Sequence, residues 1–340
     1  MGEEGDNTPQ GAFSRRRLLA GFAGGGLTLT GGVAVNNVVL GYGTISGTNL
    51  LEQDLDSLAA AGFRVFPFTL RVDSTEIQYA HDELVVRDTD SSTVERLQIE
   101  PGVQARAKAI DDTYQLHSVL EELATDIVAI STGDLSFEFH SVTDFFETLA
   151  AAETRGFSTQ AVRGLPSADP SLVEGFTGTS PSDTEETITG LVGGFREHTH
   201  YDFPRYVAGS IQDNILFGAR DLRAPFETKT DYETMLGDQS IGLFCYDFTD
   251  RSIEALHAVP AFEQSVPVVG ARVRDARHKH VYTGIGSLYR ENGDLRVGMT
   301  FVDYTHTTMY DDLHVRAILG DGLNAYNPRH RATLIQWIRY

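Results

Sequence analysis

One cysteine, Cys245, stands in a chain of 340 residues. No intramolecular disulfide can form, so stability has to come from a buried core. Lysine is nearly as scarce. Lys108, Lys229 and Lys279 are the only three among 27 basic residues, which face 48 acidic ones for a net charge of −21. The sequence holds no basic stripe of the kind a phosphate backbone demands, which excludes nucleic acid as a partner. Gly193-Gly194 lacks both a preceding strand and a following lysine, so no phosphate loop is present and no cofactor is implied. No repeat period runs through the chain. Charge is missing altogether from Leu18 to Leu51. With 41% hydrophobic residues the chain can bury a sizeable core, and its length suggests about two domains beyond the N-terminal segment.

The uncharged run follows Ser14-Arg15-Arg16-Arg17-Leu18-Leu19. Consecutive arginines ahead of an apolar stretch match a twin-arginine (Tat) export signal. The stretch is rich in Gly, Ala and Thr, and so only mildly apolar, which suits such a signal better than a stable membrane span. Residues 1–35 are therefore expected to be a Tat signal, with Gly32 and Ala34 placing cleavage after Ala34. Uncleaved, the segment would be an N-terminal membrane tether. The location expected is extracellular or at the cell surface. Self-repulsion at −21 destabilises a compact state in ordinary salt. In molar salt the Debye length falls to about 3 Å and the repulsion is screened. The acidity resembles the bias of proteins from halophilic archaea.

The chain is expected to fold as α+β. An N-terminal α+β unit of unassigned role spans 36–164, with helical spacing at Leu50–Ala59 and strands at 63–72, 76–80, 83–87 and 94–99. One long helical stretch follows Pro101-Gly102, then a strand at 135–139 and a helix at 144–152. Pro166, Pro170 and Pro181 among Ser, Thr, Gly and acidic residues make 165–183 the expected linker. A second unit, 184–340, opens with Thr184 as a helix cap and Glu185 and Glu186 in the first turn.

Specific chemistry enters with Gly242-Leu243-Phe244-Cys245-Tyr246-Asp247-Phe248, which leads into a helix expected over 249–259. A cysteine at a helix N-terminus gains from the positive end of the dipole, which favours the thiolate a nucleophile requires. That nucleophile also needs a histidine within hydrogen-bond reach. Downstream, Asn292-Gly293 is a strong two-residue hairpin turn between arms 280–290 and 295–304. A tight turn makes paired positions sum to 585. His280 and Asp303 then share one face as diagonal neighbours, about 7–8 Å apart at the backbone, and a one-residue slip would separate them.

Gly-x-x-Cys-x-Asp-Phe entering a helix, then a strand, then a His-headed hairpin ending in Val302-Asp303-Tyr304-Thr305, resembles the transglutaminase-like branch of the papain-like cysteine enzymes. The resemblance covers about Thr184 to Leu313. It implies a helix-plus-antiparallel-sheet domain in which Cys245 attacks an amide carbonyl, His280 moves the proton and Asp303 orients the imidazole. Gln239 stands where an oxyanion glutamine would. The implied function is peptide or isopeptide hydrolysis, or acyl transfer, on a peptide or protein substrate. Two alternatives stay open. One is a non-catalytic extracellular binding protein or cell-envelope component, with Cys245 buried as a small hydrophobe. The other is a metal site built from His198-Thr199-His200 and His278-Lys279-His280, since alternate strand residues share a face. In sequence, Asp202 and His306 lie close to those pairs. Arg329, His330 and Arg331 are expected to pair with acidic surface, and Trp337 to dock the tail onto the core.

Overall fold

The structure, a computed structural model, describes residues 50–91, 93–202, 204–205, 208–209, 212, 221–222, 224, 229–237, 241–276, 280–305 and 330–338. The expected signal at 1–35 lies outside these residues. The chain divides into two compact units. Ser46–His200 with Thr230–Tyr340 form one, and Met1–Ile45 with Tyr201–Lys229 the other. In the second, Asp202 is buried and its carboxylate accepts the Arg205 N–H at 2.9 Å.

The fold is α+β. In the first unit, α1 (Leu55–Ala60) starts at Asp54, whose carboxylate accepts the Ser57 N–H at 3.0 Å, and stops before Gly62 at φ +79°. Strands β1 (Phe68–Val72), β2 (Thr75–Ala80), β3 (Glu83–Asp88) and β4 (Val94–Gln98) form an antiparallel meander. Alternation sends Leu70, Ile77, Tyr79, Leu84, Val86 and Leu97 to one buried face. That face packs on α2 (Gln104–Tyr114) and α3 (Val119–Thr132) through Ala107, Ile110, Leu120, Leu123 and Ile127.

A single helix is expected over this stretch, but the chain turns between α2 and α3. Gln115, His117 and Ser118 take φ of +56°, +53° and +71°. The buried Asp111 carboxylate then accepts the N–H groups of Leu120 and Glu121, at 2.9 and 2.7 Å, which caps α3 from the preceding helix. Burial is the largest influence on Asp111 and raises its pKa, against those two hydrogen bonds.

The main sheet runs β12 (Leu334–Gln336), β9 (Val269–Asp275), β10 (His280–Glu291), β11 (Asp294–Val302), β5 (Ser136–Phe139), with β6 (Glu153–Thr154) also on β10. The β10–β11 pairs run from Glu291↔Asp294 to Thr283↔Val302 and keep the expected sum throughout. Asn292 and Gly293 turn at φ +54° and +94°, as a primed hairpin turn requires. Strand β5 joins β11 in parallel, so residues from the expected N-terminal unit complete the sheet of the expected C-terminal one. Trp337 closes the other side, its Nε1–H donating to Ala59 O at 2.7 Å.

The stretch 165–183 belongs to the same compact unit as both its flanks, and it is not an open linker. It contains α6 (Pro170–Thr177), following α4 (Val142–Ala151) and α5 (Gly156–Ala161). Asp169 caps α6 and Pro170 takes its first position. Its Val173 and Phe176 are buried, with Phe176 set edge-on to Phe195 of α7 (Thr184–His198). At the start of α7 the cap is Asp183, while the Thr184 hydroxyl donates to Val266 O at 2.6 Å. Strands β7 (Thr199–Tyr201) and β8 (Ile241–Leu243) and helix α8 (Tyr232–Gly237) precede α9 (Cys245–Leu256), which packs on β9 and β10. No helix among the described residues is long and apolar enough to cross a membrane.

Candidate functional site

Helix α9 begins four residues earlier than the sequence suggests, at Cys245 itself. The Asp247 carboxylate reaches back to accept the Phe244 N–H at 2.9 Å and fixes the first turn. Cys245 is a free thiol, half-buried. The helix is anchored along its length. Ser252 Oγ and Thr283 Oγ1 share a buried hydrogen bond of 2.7 Å, and Arg272 of β9 pairs with Asp250. At the far end, Arg163 donates to Val259 O at 2.7 Å, Val268 O at 2.8 Å and Gln264 Oε1 at 2.6 Å, placing a cation by the helix C-terminus. His257 Nε2 accepts the Gly270 N–H at 2.8 Å, and burial holds this histidine well below its usual pKa, so it stays neutral.

His280 opens β10 and Asp303 follows directly on β11. Their side chains meet at 2.6 Å, His280 Nε2 to Asp303 Oδ2, as the diagonal geometry requires. Cys245 lies close enough to the same imidazole to raise its pKa. Burial acts most strongly on His280 and would lower its pKa. The charge and hydrogen bond of Asp303, joined by Cys245, outweigh it and lift the pKa to about 10. The structure thus brings Cys245, His280 and Asp303 together. Gln239 lies outside the described residues.

A fourth side chain joins them. His330, expected at the surface, is 1% exposed, and its Nε2 lies 3.1 Å from the same Asp303 Oδ2. Its ring stands edge-on to Tyr282 at 4.9 Å. Burial is again the largest influence and lowers the pKa of His330; here the attraction of Asp303 does not overcome it, and the positive His280 adds to the lowering. One carboxylate therefore supports one imidazolium, at His280. The expectation that His330 pairs with acidic surface fails, because its charged neighbours suggested exposure; Arg329 lies outside the described residues. The signal that bears on His330 is the apolar strand just behind it, at Ala332, Ile335 and Trp337, all buried.

In the first of the expected His-x-His metal pairs the two side chains differ in setting. His198 closes α7 with its ring 5.3 Å from Phe176, and His200 is exposed two residues on. His278 and His306 lie outside the described residues. Among the described residues, the group close enough to share one ion is His280, Asp303 and His330. Its 2.6 Å contact is a hydrogen-bond length, whereas two donors on one zinc, each bonded at about 2.0–2.2 Å, stand about 3.3 Å apart in tetrahedral geometry. At that length His280 and Asp303 share a proton.

No family model, no curated protein and no solved structure matches this chain.

Proposed function

We propose that this protein carries out thiol chemistry on amides, with Cys245 as nucleophile, His280 as proton carrier and Asp303 as the group that orients it. The supporting observation is the meeting of all three on separate elements: a half-buried thiol at a helix N-terminus, near enough to act on an imidazole that is hydrogen-bonded at 2.6 Å to a buried carboxylate. A structural cysteine in a binding module has no use for such a partner. The order Cys, His, Asp also agrees with the resemblance to transglutaminase-like enzymes.

In this reading the resting pair is thiolate and imidazolium. Sγ attacks the carbonyl carbon of the amide, and the carbonyl π electrons move to oxygen. As the tetrahedral intermediate collapses, the C–N bond breaks and the His280 proton passes to the leaving amine. A thioester on Cys245 results. Neutral His280 then takes a proton from water or an amine as it attacks the thioester carbonyl, the C–S bond breaks, and the Cys245 thiolate leaves, giving hydrolysis or acyl transfer respectively. The first-turn N–H groups of α9 have no acceptor within the helix and favour the negative charge that builds there. The substrate class is a peptide or protein amide. The twin arginines and the acidic composition support a setting outside the cell, in high salt.

Alkylation of Cys245 by iodoacetamide, followed by intact mass on the full chain in molar salt from pH 5 to 9, tests this reading. The single thiol gives the mass shift one meaning. Labelling should be rapid well below pH 8, and about a hundredfold slower at pH 6.5 in His280→Ala, where no imidazolium is left to pair with the attacking thiolate. Labelling that waits for denaturant would sink the enzyme reading and favour the binding protein.

A further inference from the structure

We propose that His330 is a positioning residue of this site: by donating to the same carboxylate oxygen as His280, it holds that oxygen in place and limits how firmly Asp303 retains the His280 proton. The inference rests on the thiol reading above.

Among the described residues, three donors reach the two oxygens of Asp303. Oδ1 accepts the Thr305 N–H at 3.0 Å, and Oδ2 accepts from His280 at 2.6 Å and His330 at 3.1 Å. Rotating the carboxylate would weaken all three bonds together. The side chain is fully buried, so any donor removed is not replaced by bulk water.

His330 is itself held from several sides. Two residues on, Ala332 exchanges a pair of hydrogen bonds with the Gln53 side chain, at 2.8 and 2.9 Å. Thr333 N donates to Arg274 O at 2.7 Å, and Arg331 N to Asp275 Oδ2 at 3.2 Å. Among the described residues, the titratable groups around the two imidazoles are Asp303 beyond β11, Tyr282 of β10, Asp275 of β9 opposite His280 in the ladder, and Cys245 of α9. A second cation on the carboxylate that already serves His280 would be repelled. His330 is therefore neutral and, as a donor, the Nε2–H tautomer.

A hydrogen bond drawn away from the imidazolium makes Asp303 a weaker anchor for its charge. Without it the His280 proton is held more firmly, and His280 becomes a poorer acid toward a leaving amine.

The test compares His330→Leu, which removes the donor, with His330→Gln, whose amide Nε2 donates over the same reach. In the full chain, the pH profile of Cys245 alkylation should keep its shape in the Gln variant. In the Leu variant its upper limb should move up by about one pH unit, the effect of one hydrogen bond to a charged group. A change in packing alone would lower stability without moving the profile. A folded Leu variant with the wild-type profile overturns the inference, and so does a Gln variant that behaves like Leu. If Leu fails to fold, imidazole 15N shifts of the wild type decide. From pH 6 to 9 they should report a neutral Nε2–H ring for His330 beside an imidazolium for His280, and an imidazolium signal from His330 would refute the proposal. Should His280→Ala leave the Cys245 profile unchanged, the thiol reading falls by itself, and the 15N shifts still judge the bond between His330 and Asp303.

Discussion

Gly270 of β9 lies under the middle of α9, and adding one methyl group there should disturb both the fold and the site. A Cβ at this position would stand 2.7 Å from Ile253 Cγ2 and 2.9 Å from Cγ1, against about 3.5–4.0 Å for carbons in contact. The helix would have to retreat by about 1 Å. It cannot slide aside freely, because His257 accepts the N–H of this same Gly270 and Ser252 is bonded to Thr283. Overpacking of this kind costs about 1–3 kcal/mol. Gly→Ala in a strand would otherwise gain about 0.5–1 kcal/mol from the unfolded chain, so the two effects have opposite signs and the measurement separates them. Ile253, 1% exposed, should lose about 2–5 kcal/mol when cut to alanine alone. In Gly270→Ala/Ile253→Ala the new methyl enters the vacated space, and the double mutant should be more stable than the sum of the singles by about 1 kcal/mol or more. Urea unfolding of all four proteins at one fixed molar salt concentration supplies these values. Gly270→Ala should also slow alkylation at pH 6.5, since Cys245 moves with the helix. A neutral or stabilising Gly270→Ala, or strictly additive losses, would refute the packing argument.

Two further outcomes follow from buried charge. The His280 pKa is raised to about 10 from an ordinary 6.5, so the stability it contributes is fully present below pH 6.5 and drains away as pH rises to 10. The urea midpoint of wild type minus that of His280→Gln should shrink over this interval, and a flat difference would contradict it. Asp126, fully buried, binds Arg155 Nε at 3.1 Å and Arg290 at 2.7 and 3.0 Å. Asp126→Leu leaves two guanidinium groups facing each other and should cost about 3–5 kcal/mol. A loss under 1 kcal/mol in urea unfolding would show that Glu122 and Glu153, which also reach Arg155, carry its charge unaided.

What the sequence made legible was local. Asn292-Gly293 set a turn type, the turn set a register, and the register put His280 and Asp303 on one face. Each step involved neighbouring residues with a period of two. The meander β1–β4 was legible for the same reason. The break between α2 and α3 was not, because neither Gly nor Pro marks it; Gln115, His117 and Ser118 adopt left-handed backbone that their types rarely signal. Parallel pairing of β5 with β11 was also hidden, since partners such as Phe137 and Val297 share no turn and no fixed interval. The prolines of 165–183 suggested a linker, yet Pro170 starts a helix, a position where its missing N–H costs nothing. His330 was misread because its neighbours are arginines, while the contact that defines it lies 27 residues away in sequence.

The hairpin carries a consequence for length variation. His280 and Asp303 sit just past its open end, and the nine paired rungs between them and the turn span about 30 Å along the strands. Residues inserted or deleted symmetrically, one in each arm, leave the open end undisturbed. A change in one arm alone rotates one partner to the opposite face. The spacing between base and acid can therefore drift among descendants of this chain in steps of two, and odd steps survive only where a bulge absorbs the extra residue.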